Sequence, residues 1–260
     1  MSVLLRSFIA ALALCLLAAC GGGSTNDALA PAGNGGSATV DATGIWAGSF
    51  TVGAGPGSTD VIAVIEKDGV AFFYDQTGVL YVLPTFNGGT TVTGTLTAFA
   101  PVGITLSNGQ STETFTFTAM VSAKAITGTF DGNNETGTFT FAPLTAFSAN
   151  PTIVAGNWQG FYVGSGTAAV ALTVQSGGSF VGDDANGCHL SGQTSTIAND
   201  DVFDVSLDST GGPTCAGKLT GLAFESRQDL SGFFNGTTGT YYYVGVSNST
   251  GAFVAELKVQ

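Results

Sequence analysis

The single histidine of the chain, His189, is the first residue to consider for catalysis, because any Ser-His-Asp triad here would have to use it. Such triads often carry a Gly-x-Ser-x-Gly elbow that leads from a strand into a helix. The nearest match, Gly164-Ser165-Gly166, is predicted to be a turn between strands. His189 is therefore predicted to be a surface or strand histidine, and no catalytic residue is predicted.

Carboxylates are the second group of side chains that could do chemistry. A glycoside hydrolase needs two carboxyls that face each other across a cleft, and Ca²⁺ needs several oxygen ligands. The closely spaced acids are Asp183-Asp184, Asp200-Asp201-Asp204, and Asp131 with Glu135. They fall mainly at predicted turns, where Asp commonly hydrogen-bonds to the local backbone. Neither 131–135 nor 183–187 fits a twelve-residue calcium loop, so no metal and no cofactor are predicted.

The composition excludes several classes of protein. Only 9% of the 260 residues are charged, which excludes a coiled coil, and 44% are hydrophobic, which argues against disorder over most of the chain. Six Lys and Arg face 18 Asp and Glu, for a net charge of −12. Because no basic surface is available to neutralise phosphates, nucleic acid is excluded as a partner.

The first twenty residues have the pattern of an export signal. Arg6 precedes an apolar run at 8–19, which is shorter than the roughly 20 residues of a membrane-spanning helix. The run ends in Leu17-Ala18-Ala19-Cys20, followed by Gly21-Gly22-Gly23. This segment resembles the lipobox of bacterial lipoproteins. The resemblance implies cleavage of a signal peptide at 1–19, a diacylglycerol on the Cys20 thiol and an acyl chain on its amine.

The same resemblance implies a location in the cell envelope. In lipoproteins an Asp after the lipidated Cys tends to retain the protein at the inner membrane, whereas Gly21 favours the outer membrane. Loss of Arg6 changes the net charge from −12 to −13, so an anionic membrane repels the body and the acylated Cys20 must contact the bilayer. Residues 20–41 form a predicted flexible tether. The motif leaves open which face of the outer membrane the body occupies.

Cys188 and Cys215 are the cysteines that remain after Cys15 leaves with the signal and Cys20 is lipidated. In an oxidising export compartment they are predicted to form a disulfide across 27 residues, which stabilises by about 3.5 kcal/mol on the chain-entropy model. The alternatives are buried free thiols or a metal site with His189. Zinc needs three or four ligands, and adjacent strand residues point to opposite faces, so the disulfide is favoured.

The body of the chain contains an internal repeat. Four motifs recur in the same order along the chain. Gly44-Ile45-Trp46-Ala47-Gly48 recurs as Gly156-Asn157-Trp158-Gln159-Gly160, and Gly69 with Phe72 recurs as Gly177 with Phe180. Residues 126–130 recur as 230–234, and residues 136–139 recur as 238–241. The order of the matches predicts two homologous modules, 42–145 and 152–260.

Each module is predicted to consist of short strands separated by Gly, Asn or Asp. The predicted segments are 45–53, 60–66, 70–75, 78–83, 90–99, 112–122, 125–130 and 136–142 in the first module, and 157–163, 168–174, 178–182, 188–194, 201–207, 215–224, 229–235, 240–246 and 252–259 in the second. In Thr114-Phe115-Thr116-Phe117-Thr118 the period of two places Phe on one face.

The prediction for the fold is all-β, with two tandem antiparallel barrels of about eight strands; β-sandwiches are the alternative. Closure removes the exposed edges of such Thr- and Phe-rich strands. The Gly-x-Trp at each first strand resembles the opening signature of lipocalins and other calycins. The Thr-Gly-Thr-Phe hairpin is similar to the barrel domains of transferrin-binding-protein-like surface lipoproteins. No binding loop matches, so the ligands of these families are not implied.

Three functions are compatible with these features. The leading interpretation is a non-enzymatic, lipid-anchored envelope module that binds an unknown protein, glycan or small molecule, or that serves a structural role. The first alternative is a carrier that holds a small apolar ligand in its barrel lumen, which would require a pocket of about 300 Å³ or more. The second is an enzyme that acts on glycans, which would require paired acids in one cleft.

Overall fold

The computed structural model describes residues 40–53, 57–86, 89–133, 135–145, 152–163, 167–197, 200–212, 214–232 and 234–260. The predicted signal peptide, Cys20 and most of the predicted tether lie outside these ranges. Within them the secondary-structure elements are all β-strands. No helix in these ranges has the length and apolar character needed to cross a membrane.

Sixteen strands form two closed antiparallel barrels of eight strands each, so the predicted fold class is confirmed. The first barrel contains β1 (Gly44–Val52), β2 (Ser58–Ile65), β3 (Ala71–Asp75), β4 (Leu80–Leu83), β5 (Thr91–Phe99), β6 (Thr112–Val121), β7 (Ile126–Asp131) and β8 (Thr136–Pro143). The second contains β9 (Gly156–Val163), β10 (Thr167–Val174), β11 (Ser179–Asp184), β12 (His189–Thr196), β13 (Val202–Thr210), β14 (Gly217–Ser226), β15 (Tyr241–Asn248) and β16 (Gly251–Val259). Consecutive strands pair, and β1–β8 and β9–β16 pairing closes each barrel.

The lumen of the first barrel is filled by aromatic rings. Strict alternation along β6 buries every second side chain, as its Thr-Phe pattern predicts. Phe50, Phe73, Phe117 and Phe141 are each at most 3% exposed and pack against one another. Phe117 also stacks on Phe139 with ring centroids 4.8 Å apart. The same alternation directs Thr outward, which keeps a chain with few charges hydrated.

The lumen of the second barrel is packed as well. Trp158 stacks on Tyr242 with ring centroids 4.0 Å apart, and Phe203 packs against the same tyrosine. The cavity inside this barrel is only about 30 Å³. Small-molecule sites usually occupy about 300–1,000 Å³, so this lumen does not favour the carrier alternative.

The two tryptophans occupy equivalent positions. Trp46 lies on β1 and donates its indole N–H to the carbonyl oxygen of Ala42 at 2.9 Å. Trp158 lies on β9 and donates to the carbonyl oxygen of Val154 at 2.8 Å, again four residues earlier. Both side chains are 4% exposed. The repeat predicted from the Gly-x-Trp motif is therefore present in the structure.

The predicted strand at 229–235 is wrong. The described residues of this segment, 229–232 and 234–235, belong to a loop between β14 and β15, in which the Asp229 carboxylate accepts hydrogen bonds from the backbone N–H groups of Gly232, Phe234 and Gly236. Gly232, Asn235 and Gly236 also have positive φ angles. Because these N–H groups are bound to Asp229, they are not available to pair with a strand.

The last two predicted repeat matches, 126–130 with 230–234 and 136–139 with 238–241, are therefore wrong. β7 begins at residue 126 and its counterpart β15 at residue 241, an offset of 115. β8 begins at residue 136 and its counterpart β16 at residue 251, the same offset. The predicted offsets of 104 and 102 fail because the loop after β14 has no equivalent of that length in the first barrel.

A third apolar cluster joins the two barrels, and we call it the inter-barrel cluster. It contains Ile45, Val64, Tyr74 and Leu80 from the first barrel, and Val202, Leu222, Phe224, Tyr241, Tyr243 and Ala252 from the second. Main-chain bonds reinforce it, because Ala252 N donates to Ala100 O at 2.7 Å and Val102 N to Ala252 O at 3.2 Å. The outer faces of β15 and β16 are thus buried.

Candidate functional site

The predicted disulfide between Cys188 and Cys215 is present, with Cα atoms 5.6 Å apart. The two residues do not lie within strands as predicted, because Cys188 directly precedes β12 and Cys215 precedes β14 by two residues. The bridge thereby joins two neighbouring loops at one end of the second barrel. Cys188 is 2% exposed and belongs to the barrel core, whereas Cys215 is partly buried and packs against that core.

His189 and the adjacent acids lie on the surface. The His189 imidazole is 75% exposed, and its Nδ1 lies 2.5 Å from Oδ1 of Asp183. Asp184 accepts hydrogen bonds from the backbone N–H groups of Asn186 and Cys188, and so it orders the β11–β12 turn. In the described part of the chain, no three His, Cys, Asp or Glu side chains are placed to hold a metal ion.

The remaining predicted acid groups are not brought into a cleft. Asp131 ends β7 and Glu135 lies in the following turn. Asp200 belongs to the β12–β13 loop, but its carboxylate accepts a 3.4 Å hydrogen bond from the backbone N–H of Lys67 in the first barrel. Asp131 and Glu135 thus lie at a turn, as predicted, whereas Asp200 contacts the other barrel.

Asp200 is also part of an acidic contact between the barrels that the sequence analysis missed. The pKa of Glu66 is raised to about 8, chiefly by burial and in addition by the carboxylates of Asp68, Asp200 and Asp204. Glu66 and Asp68 belong to the first barrel, whereas Asp200 and Asp204 belong to the second. Ionisation of Glu66 therefore adds repulsion across the interface.

A hollow of about 700 Å³ opens on the second barrel, and Phe161, Asp183, Asp184 and Lys258 are among the residues that line it. A cleft of about 490 Å³ lies beside the inter-barrel cluster. This inter-barrel cleft is more enclosed than the hollow and has walls from both barrels, which makes it the better candidate for a binding site. Its size falls in the range of small-molecule sites. The first barrel contributes Ala47, Gly48, Asp60, Val61, Ile62, Tyr74, Asp75 and Gln76, and the second contributes Leu230, Ser231, Tyr243, Val254, Ala255 and Glu256. Its walls are largely apolar, with a few polar groups among them.

The central polar pair of the cleft is Tyr243 with Glu256, which lie directly opposite each other on β15 and β16. The Tyr243 hydroxyl donates a hydrogen bond to Glu256 Oε1. Glu256 is 2% exposed, and its second oxygen, Oε2, is buried without a hydrogen-bond partner. The pKa of this carboxyl is raised to about 7, chiefly by burial; the hydrogen bond from Tyr243 lowers it, the charge of Asp229 raises it, and the backbone N–H groups of Leu230 and Ser231 lower it.

The loop after β14 holds the tyrosine in place. The backbone N–H groups of Leu230 and Ser231 both donate to the Tyr243 hydroxyl oxygen. The hydroxyl hydrogen is therefore free to point at Glu256. Asp229, which orders this loop, thus positions the pair indirectly. The segment that the sequence wrongly predicts as a strand supplies one wall of the cleft.

The first barrel contributes two further acids to the cleft, Asp60 and Asp75. Asp60 is exposed and accepts a 3.2 Å hydrogen bond from Gln76 Nε2. Asp75 is 6% exposed, and its Oδ1 accepts bonds from the backbone N–H groups of Thr77 and Val79 and from the Thr77 hydroxyl. Burial raises the pKa of Asp75, while these bonds lower it. The Asp75 carboxylate is thereby committed to the β3–β4 turn.

The sequence does contain a weak signal for this cleft. Tyr241-Tyr242-Tyr243-Val244 is a continuous apolar run instead of an alternating one, and all four side chains are buried. Such a run indicates a strand that is covered on both faces. Glu256, between Ala255 and Leu257 in a similar run, is the one acid in β16. Neither feature shows which part of the protein covers the outer faces of β15 and β16.

Comparison with known proteins does not assign the chain to a family. No protein-family model matches the chain, and no curated protein matches it. Among solved structures, an endo-1,5-α-L-arabinanase from Thermotoga petrophila aligns with a TM-score of 0.36 and 12% sequence identity. The alignment covers 82% of this chain and 56% of that enzyme's chain. A likeness of this degree carries no argument about the activity of the present protein.

Proposed function

We propose that this protein is a non-enzymatic, lipid-anchored envelope protein that binds a small molecule in the cleft between its two barrels. The observation that carries the proposal is the cleft itself, with a volume of about 490 Å³ and walls from both barrels. Apolar walls with a few placed polar groups are typical of ligand sites. The cavity inside the second barrel is only about 30 Å³, and the hollow of about 700 Å³ on that barrel is more open to solvent, so the inter-barrel cleft is the better place for a ligand.

The arrangement of carboxyls favours binding over catalysis. A glycoside hydrolase needs one carboxyl as acid and another as base or nucleophile. Of the two buried acids that line the cleft, Asp75 is engaged by the Thr77 and Val79 backbone. Asp60, the third acid that lines the cleft, is exposed and accepts a hydrogen bond from Gln76, so Glu256 is the remaining buried carboxyl and is paired with Tyr243.

The anchor is proposed from the N-terminal motif. The lipobox Leu17-Ala18-Ala19-Cys20 supports acylation of Cys20, and Gly21 supports sorting to the outer membrane. The body has too many acids to adsorb on an anionic bilayer by charge. The proposed role therefore combines a membrane attachment through lipid with a ligand site in the folded body.

A substitution that fills the cleft tests the binding function. Ile62 lies on the outer face of β2, is partly buried and lines the cleft. We expect the full-length protein in neutral detergent to bind the apolar dye Nile red saturably. Ile62→Trp should lower that affinity by about tenfold or more, because the indole occupies the space that the dye needs.

Thr95→Trp is the matched control, because Thr95 is an exposed residue of β5 that does not line the cleft. This variant should bind Nile red with the affinity of the unaltered protein. An unaltered protein without saturable binding contradicts the proposed function. The same conclusion follows if Ile62→Trp retains full affinity while its circular dichroism spectrum shows a normal fold.

A further inference from the structure

We propose that the ligand of the inter-barrel cleft is an organic amine, whose cationic nitrogen binds the carboxylate of Glu256 and whose apolar body packs between the barrels. This inference rests on the proposed function, because it assumes that the cleft is the binding site. It adds the chemical class of the ligand, which the cleft volume alone does not determine.

The charge of the lining residues is the first argument. Three acids, Asp60, Asp75 and Glu256, line the cleft, and none of the described residues that line it is Lys or Arg. The whole chain carries a net charge of −12, so its field also attracts cations. An anionic ligand would be repelled by the acids of the cleft and by the net charge of the chain. A neutral ligand would gain nothing from them.

The unsatisfied oxygen of Glu256 is the second and independent argument. Tyr243 satisfies Oε1, but Oε2 has no hydrogen-bond partner although the residue is 2% exposed. A buried oxygen without a partner loses its hydration and gains nothing in return. A ligand N–H group that reaches Oε2 would supply the missing bond, and a charged donor would form a stronger one.

The surroundings of Glu256 link amine binding to pH. The groups that act on Glu256 are Tyr243 on β15 and, in the preceding loop, Asp229 and the backbone N–H groups of Leu230 and Ser231; Asp60 and Asp75 of the first barrel line the same cleft. None of these groups is cationic, and burial raises the pKa of Glu256 to about 7. An amine with a pKa near 10 is cationic throughout this range. Its binding therefore displaces a proton from Glu256 below about pH 7.

The walls suit the apolar part of such a ligand. Ile62, Leu230 and Val254 provide aliphatic surface, and Tyr74 and Tyr243 provide aromatic edges and faces. Aromatic rings next to a cationic nitrogen add a cation–π attraction. A compact amine with one aromatic or branched aliphatic group would therefore fill the cleft better than a bare ammonium ion or a long polyamine.

Three probes with the same indole body test the class: tryptamine, tryptophol and indolepropionate, which end in an amine, an alcohol and a carboxylate. Calorimetric titration of the full-length protein in neutral detergent at about pH 8 should rank tryptamine first, by about tenfold or more over tryptophol. Glu256→Gln should reduce the affinity for tryptamine to that for tryptophol and leave tryptophol unchanged.

Glu113→Gln is the control variant, because Glu113 is a buried acid with an unpartnered Oε1 that does not line the cleft. It should bind all three probes like the unaltered protein. If Glu256→Gln does not fold, the pH dependence of the unaltered protein is decisive. The affinity for tryptamine should fall by about tenfold per pH unit below about 7, and the affinity for tryptophol should stay constant.

The outcomes separate this inference from the proposed function. Equal affinities for the three probes, a preference for indolepropionate, or no binding of any of them overturns the amine class. If Nile red still binds the unaltered protein and not Ile62→Trp, the cleft remains the binding site. If Nile red also fails to bind, the proposed function is overturned together with the amine class.

Discussion

The ring of Tyr74 in the first barrel lies against the backbone of Gly245 in the second, so closely that a Cβ atom on Gly245 would stand 1.9 Å from Tyr74 Cε1. Gly245 is in the middle of β15, opposite Leu222 of β14 and Val254 of β16. The Tyr74 hydroxyl lies 3.5 Å from the Leu222 carbonyl oxygen. Only glycine leaves room for this ring.

Gly245→Leu should therefore separate or distort the two barrels. We expect a loss of about 1–3 kcal/mol in the free energy of unfolding, because the new side chain collides with a packed ring. Urea denaturation followed by tryptophan fluorescence measures this loss, and Nile red binding should weaken with it. Tyr74→Ala in the Gly245→Leu background should restore part of the stability by removing the colliding ring.

Gly177→Ala is the control, because a Cβ atom at this turn position would meet nothing within 4 Å. Its unfolding midpoint should match that of the unaltered protein. A Gly245→Leu variant that is as stable as Gly177→Ala would show that Tyr74 and Gly245 are not in contact in solution.

Loss of the Cys188–Cys215 bridge should destabilise the whole body and not just the second barrel. The chain-entropy model gives about 3.5 kcal/mol for a loop of 27 residues. The sequence alone predicts that only the second module responds. The inter-barrel cluster changes this expectation, because unfolding of the second barrel exposes apolar surface on the first.

The measurement is amide hydrogen exchange of the Cys188→Ser, Cys215→Ser double variant against the oxidised protein. Protection should fall in β1–β3, which adjoin the second barrel, as well as in β9–β16. If protection falls in the second barrel alone, the barrels unfold independently and the interface contributes little. Two alkylatable thiols in the unaltered, oxidised body would contradict the disulfide itself.

The stability of the body should fall as the pH rises from about 4.5 to about 8. Burial raises the pKa of Glu66 to about 8 and that of Glu256 to about 7, from an ordinary value of 4.5. In this range the folded state binds more protons than the unfolded state, so an increase in pH favours unfolding. We expect a decline on the order of 1–2 kcal/mol after allowance for solvent screening.

Urea midpoints measured across this range check the prediction. Glu66→Gln and Glu256→Gln should each flatten the decline. Asp41→Asn is the control, because hydrogen bonds from Thr43 lower the pKa of Asp41 below its ordinary 3.8 and its effect lies at more acid pH. Stability that rises between about pH 5 and 8 would contradict the raised pKa values of both glutamates.

Attachment to the membrane should depend on Cys20. In the Cys20→Ser variant the thiol that would accept diacylglycerol is absent, so the protein should leave the membrane pellet after cell fractionation. Cys15→Ser is the matched control, because Cys15 lies in the apolar run five residues earlier and precedes the lipobox. This variant should remain in the pellet. A Cys20→Ser protein that still pellets with membranes would overturn the proposed anchor.

Local patterns in the sequence were sufficient to predict the barrels. The alternation in Thr114-Phe115-Thr116-Phe117-Thr118 gives the inner and outer faces of β6, because side-chain direction in a strand has a period of two. The two Gly-x-Trp motifs predicted equivalent first strands, and Trp46 and Trp158 do make the same hydrogen bond. These features depend on near neighbours in the chain, which the sequence displays directly.

The cleft depended on contacts between residues far apart in the chain. Asp229 turns an apolar segment into a loop by binding three N–H groups, and Leu230 and Ser231 then reach Tyr243. Glu256 becomes a buried acid because the first barrel and the loop after β14 cover the outer face of β16. Burial of a surface by another barrel is a property of tertiary packing. Period and composition therefore determined the barrels, and only the packing of one barrel against the other decided where a ligand can bind.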